Sequence, residues 1–103
     1  MNRGDLYELD WPGIGSHPAV IVTREAAIPV LATVTAALVT SRVRGLPTEV
    51  ALAENQGLPR TSVVNCDNLV TVPKPMLGRR YGTLGPEQIF ALDDALRIAL
   101  GLD

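Results

Sequence analysis

The side chains in this sequence that best suit catalysis are one histidine and a short polar segment. His17 is the single imidazole of the chain, and an imidazole ordinarily gains and loses a proton near neutral pH. Residues 40–44 read TSRVR and place the Thr40 hydroxyl beside two guanidinium groups, those of Arg42 and Arg44. Hydroxyl and guanidinium groups donate hydrogen bonds to phosphate oxygens. These residue types therefore suit proton transfer and phosphate binding.

The same residues also have ordinary structural interpretations. A lone histidine at the start of a strand is usually a surface or capping residue, and a threonine at a strand end is usually a good β-former. Arginines in a loop are usually solvated. The chain has one His, one Cys and no carboxylates paired at a ligand spacing, so it contains no metal-site motif. We expect neither a metal nor a cofactor.

The composition predicts a folded domain with an aliphatic core. The 103 residues are 47% hydrophobic, 19% charged and 4% aromatic, with a mean hydropathy of +0.20. This balance excludes a disordered chain and predicts one domain over residues 1–103. The net charge of -2 and the pI near 5.3 exclude a polybasic nucleic-acid binder. Any contact with RNA must then come from a local basic patch.

Cysteine usage and the N-terminus indicate the compartment. Cys66 is the only cysteine, so we expect a small buried thiol, no disulfide and a reducing, cytoplasmic location. Residues 1–5 begin no apolar signal segment. The longest uncharged run, residues 26–41, contains Pro29 and several threonines. That run predicts strands and not a membrane helix.

The elements that must position the polar residues are short strands followed by one helix. Alternating or β-branched stretches predict strands at residues 5–10, 18–23, 31–40, 48–53, 62–65, 69–72 and 79–84. Breaker residues predict loops or turns at 11–16, 24–29, 41–47 and 54–60, and a short helical turn at 73–77. An apolar stripe at helical spacing begins near Pro86 and stops at Gly101, which predicts a C-terminal helix. We expect a mainly β fold, a small antiparallel barrel with this helix packed on it.

Four blocks, in order, resemble the MazF/PemK family of toxins. Residues 3–7 (RGDLY) and 17–22 (HPAVIV) are similar to the family's opening, and 40–50 (TSRVRGLPTEV) to its second block. Residues 62–68 (SVVNCDN) with 78–84 (GRRYGTL) are similar to its third block, and 94–102 (DALRIALGL) to its last helix. The resemblance covers nearly the whole chain. It implies an SH3-like barrel with a C-terminal helix, a homodimer, and a sequence-specific endoribonuclease controlled by a MazE-like antitoxin.

The resemblance also implies which residues carry the chemistry. In that family an arginine directly before the proline of the second strand and a threonine at the end of the third strand are catalytic. These positions fall on His17 and Thr40, so the family arginine is replaced by histidine here. The implied reaction is metal-independent cleavage of single-stranded RNA, in which the 2′-OH attacks the phosphate and a 5′-OH leaves, inhibiting translation and growth. His17 then exchanges phosphate clamping for proton transfer. The residues expected to bind RNA, some of which can supply the lost clamp, are Arg24, Ser41, Arg42, Arg44 and Trp11.

Two assignments stay open at this point. Trp11, in a predicted Gly- and Pro-containing loop, can stack on an RNA base or seal a dimer interface. The chain can also be a CcdB-like, protein-binding toxin that acts on a topoisomerase, or an inactive relative that binds only RNA or antitoxin. Cleavage of single-stranded RNA in the presence of EDTA would support the ribonuclease alone.

Overall fold

The computed structural model describes residues 1–13, 15–52, 57–58 and 61–102. In this part the chain forms six strands and one helix: β1 (Asp5–Trp11), β2 (Gly15–Ile21), β3 (Thr33–Thr40), β4 (Glu49–Ala51), β5 (Val63–Pro73), β6 (Leu77–Thr83) and α1 (Pro86–Leu100). Two 3₁₀ turns, Glu25–Ala27 and Lys74–Met76, follow β2 and β5. Within the described ranges, no helix has the length and apolar character needed to cross a membrane.

The strands form one antiparallel sheet in the order β4-β5-β3-β2-β1-β6. The sheet curls, because the segment that follows β4 packs on the opposite edge strand. A Cβ atom added to Gly57 would lie 3.1 Å from the carbonyl oxygen of Tyr81 in β6. The hydrogen bonds of the described residues leave the sheet unclosed between β4 and β6. The prediction of a mainly β, antiparallel fold with a C-terminal helix is confirmed.

Both faces of the central strands are buried, which confirms the predicted aliphatic core. Ala19, Val20 and Ile21 in β2 are all fully inaccessible to solvent. Val20 packs with Leu92 of α1 on one face of the sheet, whereas Ala19 and Ile21 pack in a second cluster on the other face. Because neighbouring residues of a strand point to opposite faces, two clusters hold β2 in one register.

The helix begins and ends where the sequence predicts. Pro86 is the first helical residue, and Gly101 ends the helix in a left-handed conformation with φ of 68°. The amide of Leu102 then donates to the carbonyl oxygen of Arg97 at 2.7 Å, which satisfies a terminal carbonyl. Leu92 and Ala95 are the buried residues of α1. The predicted apolar stripe therefore packs on the sheet.

Two predicted segments differ from the structure. The loop expected at 11–16 is shorter, because β1 continues through Trp11 and β2 begins at Gly15, its pairing partner. The two short strands expected at 62–65 and 69–72 are one long strand, β5. A bulge interrupts it: Ala37 pairs with Leu69 while Leu38 pairs with Asn65, so residues 66–68 have no partner on β3. Of the strand expected at 48–53, the structure shows β4, Glu49–Ala51. Residue 53 of that strand and residues 54–56, 59 and 60 of the expected turn lie outside the described residues.

Cys66 lies in this bulge as the small buried residue that the sequence predicts. Its side chain is 1% exposed, and its amide donates to the carbonyl oxygen of Thr48 at 3.0 Å. Burial, followed by the negative charge of Asp67, raises the pKa of the Cys66 thiol from 9.0 to about 11. The folded chain therefore keeps this proton over a pH range in which the unfolded chain releases it.

The raised pKa makes part of the stability of the fold dependent on pH. As the pH rises from about 9 to about 11, the free energy of unfolding should fall by up to about 2 kcal/mol through this thiol. Cys66→Ala removes that contribution, so the stability difference between the wild type and the variant should shrink as the pH rises. Urea unfolding of both proteins at several pH values measures this difference. A constant difference would show that the thiol titrates alike in both states.

Candidate active site

The start of β2 and the end of β3 lie side by side, and this brings together the two predicted catalytic residues. Ala19 in β2 pairs with Leu38 in β3. In the same antiparallel register, His17 lies two residues before Ala19 and Thr40 two residues after Leu38, so these two residues lie opposite each other. Because side chains alternate between faces along a strand, His17 and Thr40 lie on the same face of the sheet as that pair. The register thus places an imidazole beside a hydroxyl.

A cavity of about 380 Å³ opens at this point of the sheet. Its polar lining residues are His17, Thr40, Ser41, Ser62 and Asn68, and its apolar ones are Pro18, Leu38, Val39 and Leu58. The side chains of His17 and Thr40 are half-buried, whereas Ser41 is exposed at the rim. Three of the residues predicted from the sequence therefore share one cavity.

The Thr40 hydroxyl is oriented by the backbone that follows it. Its Oγ1 atom accepts a hydrogen bond from the amide of Arg42 at 3.0 Å. A hydroxyl that accepts one hydrogen bond still has its own proton to donate. Thr40 can therefore donate that proton to an oxygen atom of a ligand in the cavity.

The loop after Thr40 presents two positive charges next to the cavity. Arg42 and Arg44 are exposed, and neither guanidinium forms an ion pair with a residue that the structure describes. Instead, the carboxylate of Glu49 accepts hydrogen bonds from backbone amides of this loop. Both arginine side chains are therefore available to an anion from solvent.

The structure does not bring Arg24 to this cavity. Arg24 follows the far end of β2 and precedes the first 3₁₀ turn. Seven residues of nearly extended chain separate it from His17, roughly 20 Å. Within one chain, this arginine lies too far along the sheet to contact the same phosphate as Thr40.

Trp11 occupies a strand and not the predicted exposed loop. It is the last residue of β1, it is half-buried, and it packs against the cluster that contains Leu9. Leu9 pairs with His17, and Trp11 lies two residues further along the same face of β1. The indole therefore flanks the face that carries His17, although it does not line the cavity.

Sequence reasoning did not single out three polar residues that the structure places at this site. Ser62 and Asn68 line the cavity, and Glu49 contacts the loop that carries the arginines. Asn68 reaches the cavity because the bulge of β5 ends at this residue. Asn65, Asp67 and Asn68 interrupt a β-branched stretch, and this was the available signal, since such an interruption is typical of a bulge.

The arrangement can perform acid–base and phosphate chemistry with its own side chains. An imidazole and a hydroxyl share one cavity, and two guanidinium groups lie in the adjoining loop. In the described part of the chain, no group of three or more His, Cys, Asp or Glu residues could hold a metal ion. The groups present are those that move a proton and neutralise an anionic phosphate.

Comparison with known proteins finds similar endoribonucleases and toxins. Endoribonuclease MazF3 of Mycobacterium tuberculosis is 46% identical over 88 residues, which cover 85% of each chain. The solved structure of M. tuberculosis toxin MazF-mt6 has a TM-score of 0.88 and 40% identity, covering 96% of this chain and 98% of that one. An endoribonuclease from a mycobacterial species, solved in complex with its cognate antitoxin, has a TM-score of 0.91 and 36% identity, with 100% and 97% covered.

A family model also matches almost the full chain, over residues 2–100. That family is described as the PemK-like, MazF-like toxins of type II toxin–antitoxin systems. The match confirms the resemblance seen in the sequence blocks, and the solved relatives share the mainly β fold with its C-terminal helix. This chain belongs to the family of PemK-like, MazF-like toxins of type II toxin–antitoxin systems.

Proposed function

We propose that this chain is a sequence-specific, metal-independent endoribonuclease toxin that cleaves single-stranded RNA and so inhibits translation and growth. The observation that carries the proposal is the register of β2 and β3, which sets His17 opposite Thr40 at a polar cavity. Two arginines without ion-pair partners among the described residues adjoin the cavity, as an RNA phosphate requires. The endoribonuclease relatives support the same activity.

The proposed reaction uses the RNA itself as the nucleophile. The 2′-oxygen attacks the adjacent phosphorus, and His17 accepts the proton that the 2′-OH loses. The Thr40 hydroxyl stabilises the charge that builds on the oxygens of the reacting phosphate, and the guanidinium groups of Arg42 and Arg44 bind the neighbouring phosphates of the RNA. The bond from phosphorus to the 5′-oxygen breaks, and that oxygen takes a proton from water. The products are a 2′,3′-cyclic phosphate and a 5′-OH.

In this proposal, several residues share the functions of the family's arginine. An arginine remains protonated and holds a phosphate with a planar fork, whereas a neutral imidazole accepts a proton readily. Proton transfer therefore falls to His17, and phosphate binding falls to Arg42 and Arg44. Ser41 and Trp11 flank the same face and are proposed to contact the RNA.

The proposed partners are a second copy of the chain and a MazE-like antitoxin. Large apolar side chains remain on the surface, with Val30 at 78% and Phe90 at 76% exposure, and their burial against a partner would favour association. An acidic antitoxin segment would be attracted by the same arginines as RNA and would compete with it. We place this action in the cytoplasm, where a lone thiol such as that of Cys66 stays reduced.

Incubation of the purified chain with a long single-stranded RNA in EDTA tests the activity. We expect cleavage at a limited set of sites, each leaving a 5′-OH end that can be mapped by sequencing a total RNA digest. Chelation should not change the rate, because the proposed chemistry uses only side chains. RNA that stays intact would instead favour a CcdB-like toxin acting on a topoisomerase, or an inactive relative.

Substitution of His17 tests the proton transfer. His17→Ala should lower the cleavage rate on the order of 10²- to 10⁴-fold, the usual contribution of one acid or base. The wild-type rate should depend on pH, because a general base works only in its deprotonated form. His17→Arg restores the family residue, so it should keep substantial activity and lose that pH dependence.

Thr40→Ala serves as the comparison for the histidine variants. A lost hydrogen bond to phosphate should cost less than a lost base, and the pH dependence should remain in this variant. A His17→Ala protein with a wild-type rate and pH profile would assign the proton transfer to another residue. Arg42 would then be the next residue to substitute.

Light scattering tests the proposed assembly. Two chains of 11.0 kDa should give a particle of about 22 kDa at micromolar concentration. A monomer under these conditions would contradict the proposed dimer.

A further inference from the structure

The carboxylate of Glu49 is bound by consecutive backbone amides of the arginine loop, residues 41–47. Its Oε1 atom accepts hydrogen bonds from Arg44 at 3.1 Å, Gly45 at 2.8 Å and Leu46 at 3.2 Å. Its Oε2 atom accepts a further hydrogen bond from the amide of Arg44 at 3.2 Å. The left-handed conformation of Gly45, with φ of 73°, allows the three amides to point at one oxygen. Glu49 thus holds the loop through its backbone.

Because Glu49 bonds to backbone amides, the positive charges of Arg42 and Arg44 are not neutralised by it. A carboxylate near two arginines commonly pairs with a guanidinium and neutralises it. Glu49 bonds to amides instead, and the guanidinium groups of Arg42 and Arg44 have no ion-pair partner among the described residues. The loop is therefore ordered while both positive charges remain free for an anion.

Glu49 is itself anchored to the sheet that builds the cavity. It is the first residue of β4 and pairs with Asn65 of β5. The preceding residue, Thr48, is buried and donates from its hydroxyl to Asp67 at 2.6 Å. At the other end of the loop, the amide of Arg42 is bonded to the hydroxyl of Thr40. Both ends of the loop are thus fixed relative to the cavity.

We propose that Glu49 is a positioning residue for RNA binding, which holds the loop so that Arg42 and Arg44 meet the phosphates next to the scissile one. The inference rests on the proposed ribonuclease function. Without Glu49 the loop should lose this conformation, and the complex with RNA should then lose the phosphate contacts of Arg42 and Arg44. Since His17 and Thr40 lie outside the loop, the chemical step should be preserved.

The test measures KM and kcat for Glu49→Ala on a fluorescent RNA oligonucleotide that carries a mapped cleavage site. The loss of a charge-assisted contact to phosphate should raise KM on the order of tenfold, and kcat should stay within about twofold. The plot of log KM against log salt should become shallower by about 0.7 for each phosphate that the variant no longer neutralises. A simple charge effect has the opposite sign, because the removal of a negative charge should tighten binding to RNA.

Glu25→Ala is the matched control. Glu25 is also a carboxylate that accepts a backbone amide, that of Arg3 at 3.2 Å, but it lies in the first 3₁₀ turn, far from the cavity. This variant changes the net charge by the same amount and should bind RNA as the wild type does or slightly more tightly. Glu49→Gln keeps one acceptor oxygen for the three amides and should give a KM between those of the wild type and Glu49→Ala.

Two further measurements separate failure of this inference from failure of the proposed function. Arg44→Ala should raise KM in the wild type and have little effect in Glu49→Ala, because Glu49 acts through the arginines. Amide hydrogen exchange at Arg44, Gly45 and Leu46 should accelerate in Glu49→Ala, whether or not the chain cleaves RNA. The inference would be wrong if Glu49→Ala had the KM and the salt slope of the wild type. It would also be wrong if Arg44→Ala raised KM as much in the Glu49→Ala protein as in the wild type. A wild type that leaves RNA intact would refute the proposed function, while unchanged amide exchange would still refute the role of Glu49.

Discussion

The structure depends most on the antiparallel register of β2 against β3. The pairing of Ala19 with Leu38 decides which residues meet at the strand ends, and a slip of one residue would turn every side chain of β2 to the other face. His17 would then leave the face that carries Thr40. The register is held because both faces of β2 are buried: Val20 packs beneath α1 and Ile21 in the opposite cluster. The geometry of the site is therefore a consequence of core packing.

The irregular parts of the fold are held by carboxylates and hydroxyls bonded to backbone or to each other. Glu49 binds the arginine loop, Asp67 accepts the hydroxyl of Thr48 beside the β5 bulge, and the nearly buried Asp5 accepts the amide of Asn2 at 2.8 Å. Loops and bulges leave amides without strand partners, and a carboxylate satisfies several of them at once. An acidic chain can in this way present a positive patch, because several of its acidic groups are occupied with its own backbone.

The histidine at the family's arginine position is compatible with the rest of this site. An arginine combines charge and reach in one side chain, whereas an imidazole is shorter and cannot grip a phosphate with a fork. The arginine loop adjoins the cavity, so the positive charge that the strand position lacks is present a few residues beyond Thr40. Under the proposed function, β2 and the arginine loop together supply what the resemblance assigns to one arginine side chain in the family.

The sequence by itself determined the class of fold, the C-terminal helix with its proline start and glycine stop, the aliphatic core and the family. These follow from local periodicity, from residues with restricted backbone angles, and from blocks of residues in a fixed order. It also pointed to His17 and Thr40, through the resemblance. Only the tertiary structure decided that Trp11 belongs to a strand and that β5 is one bulged strand. It also decided that Arg24 lies far along the sheet, that Asn68 lines the cavity and that Glu49 contacts the arginine loop. Each of these depends on which strand lies beside which and in what register, and pairing between residues distant in the chain leaves no periodic signal in the chain itself.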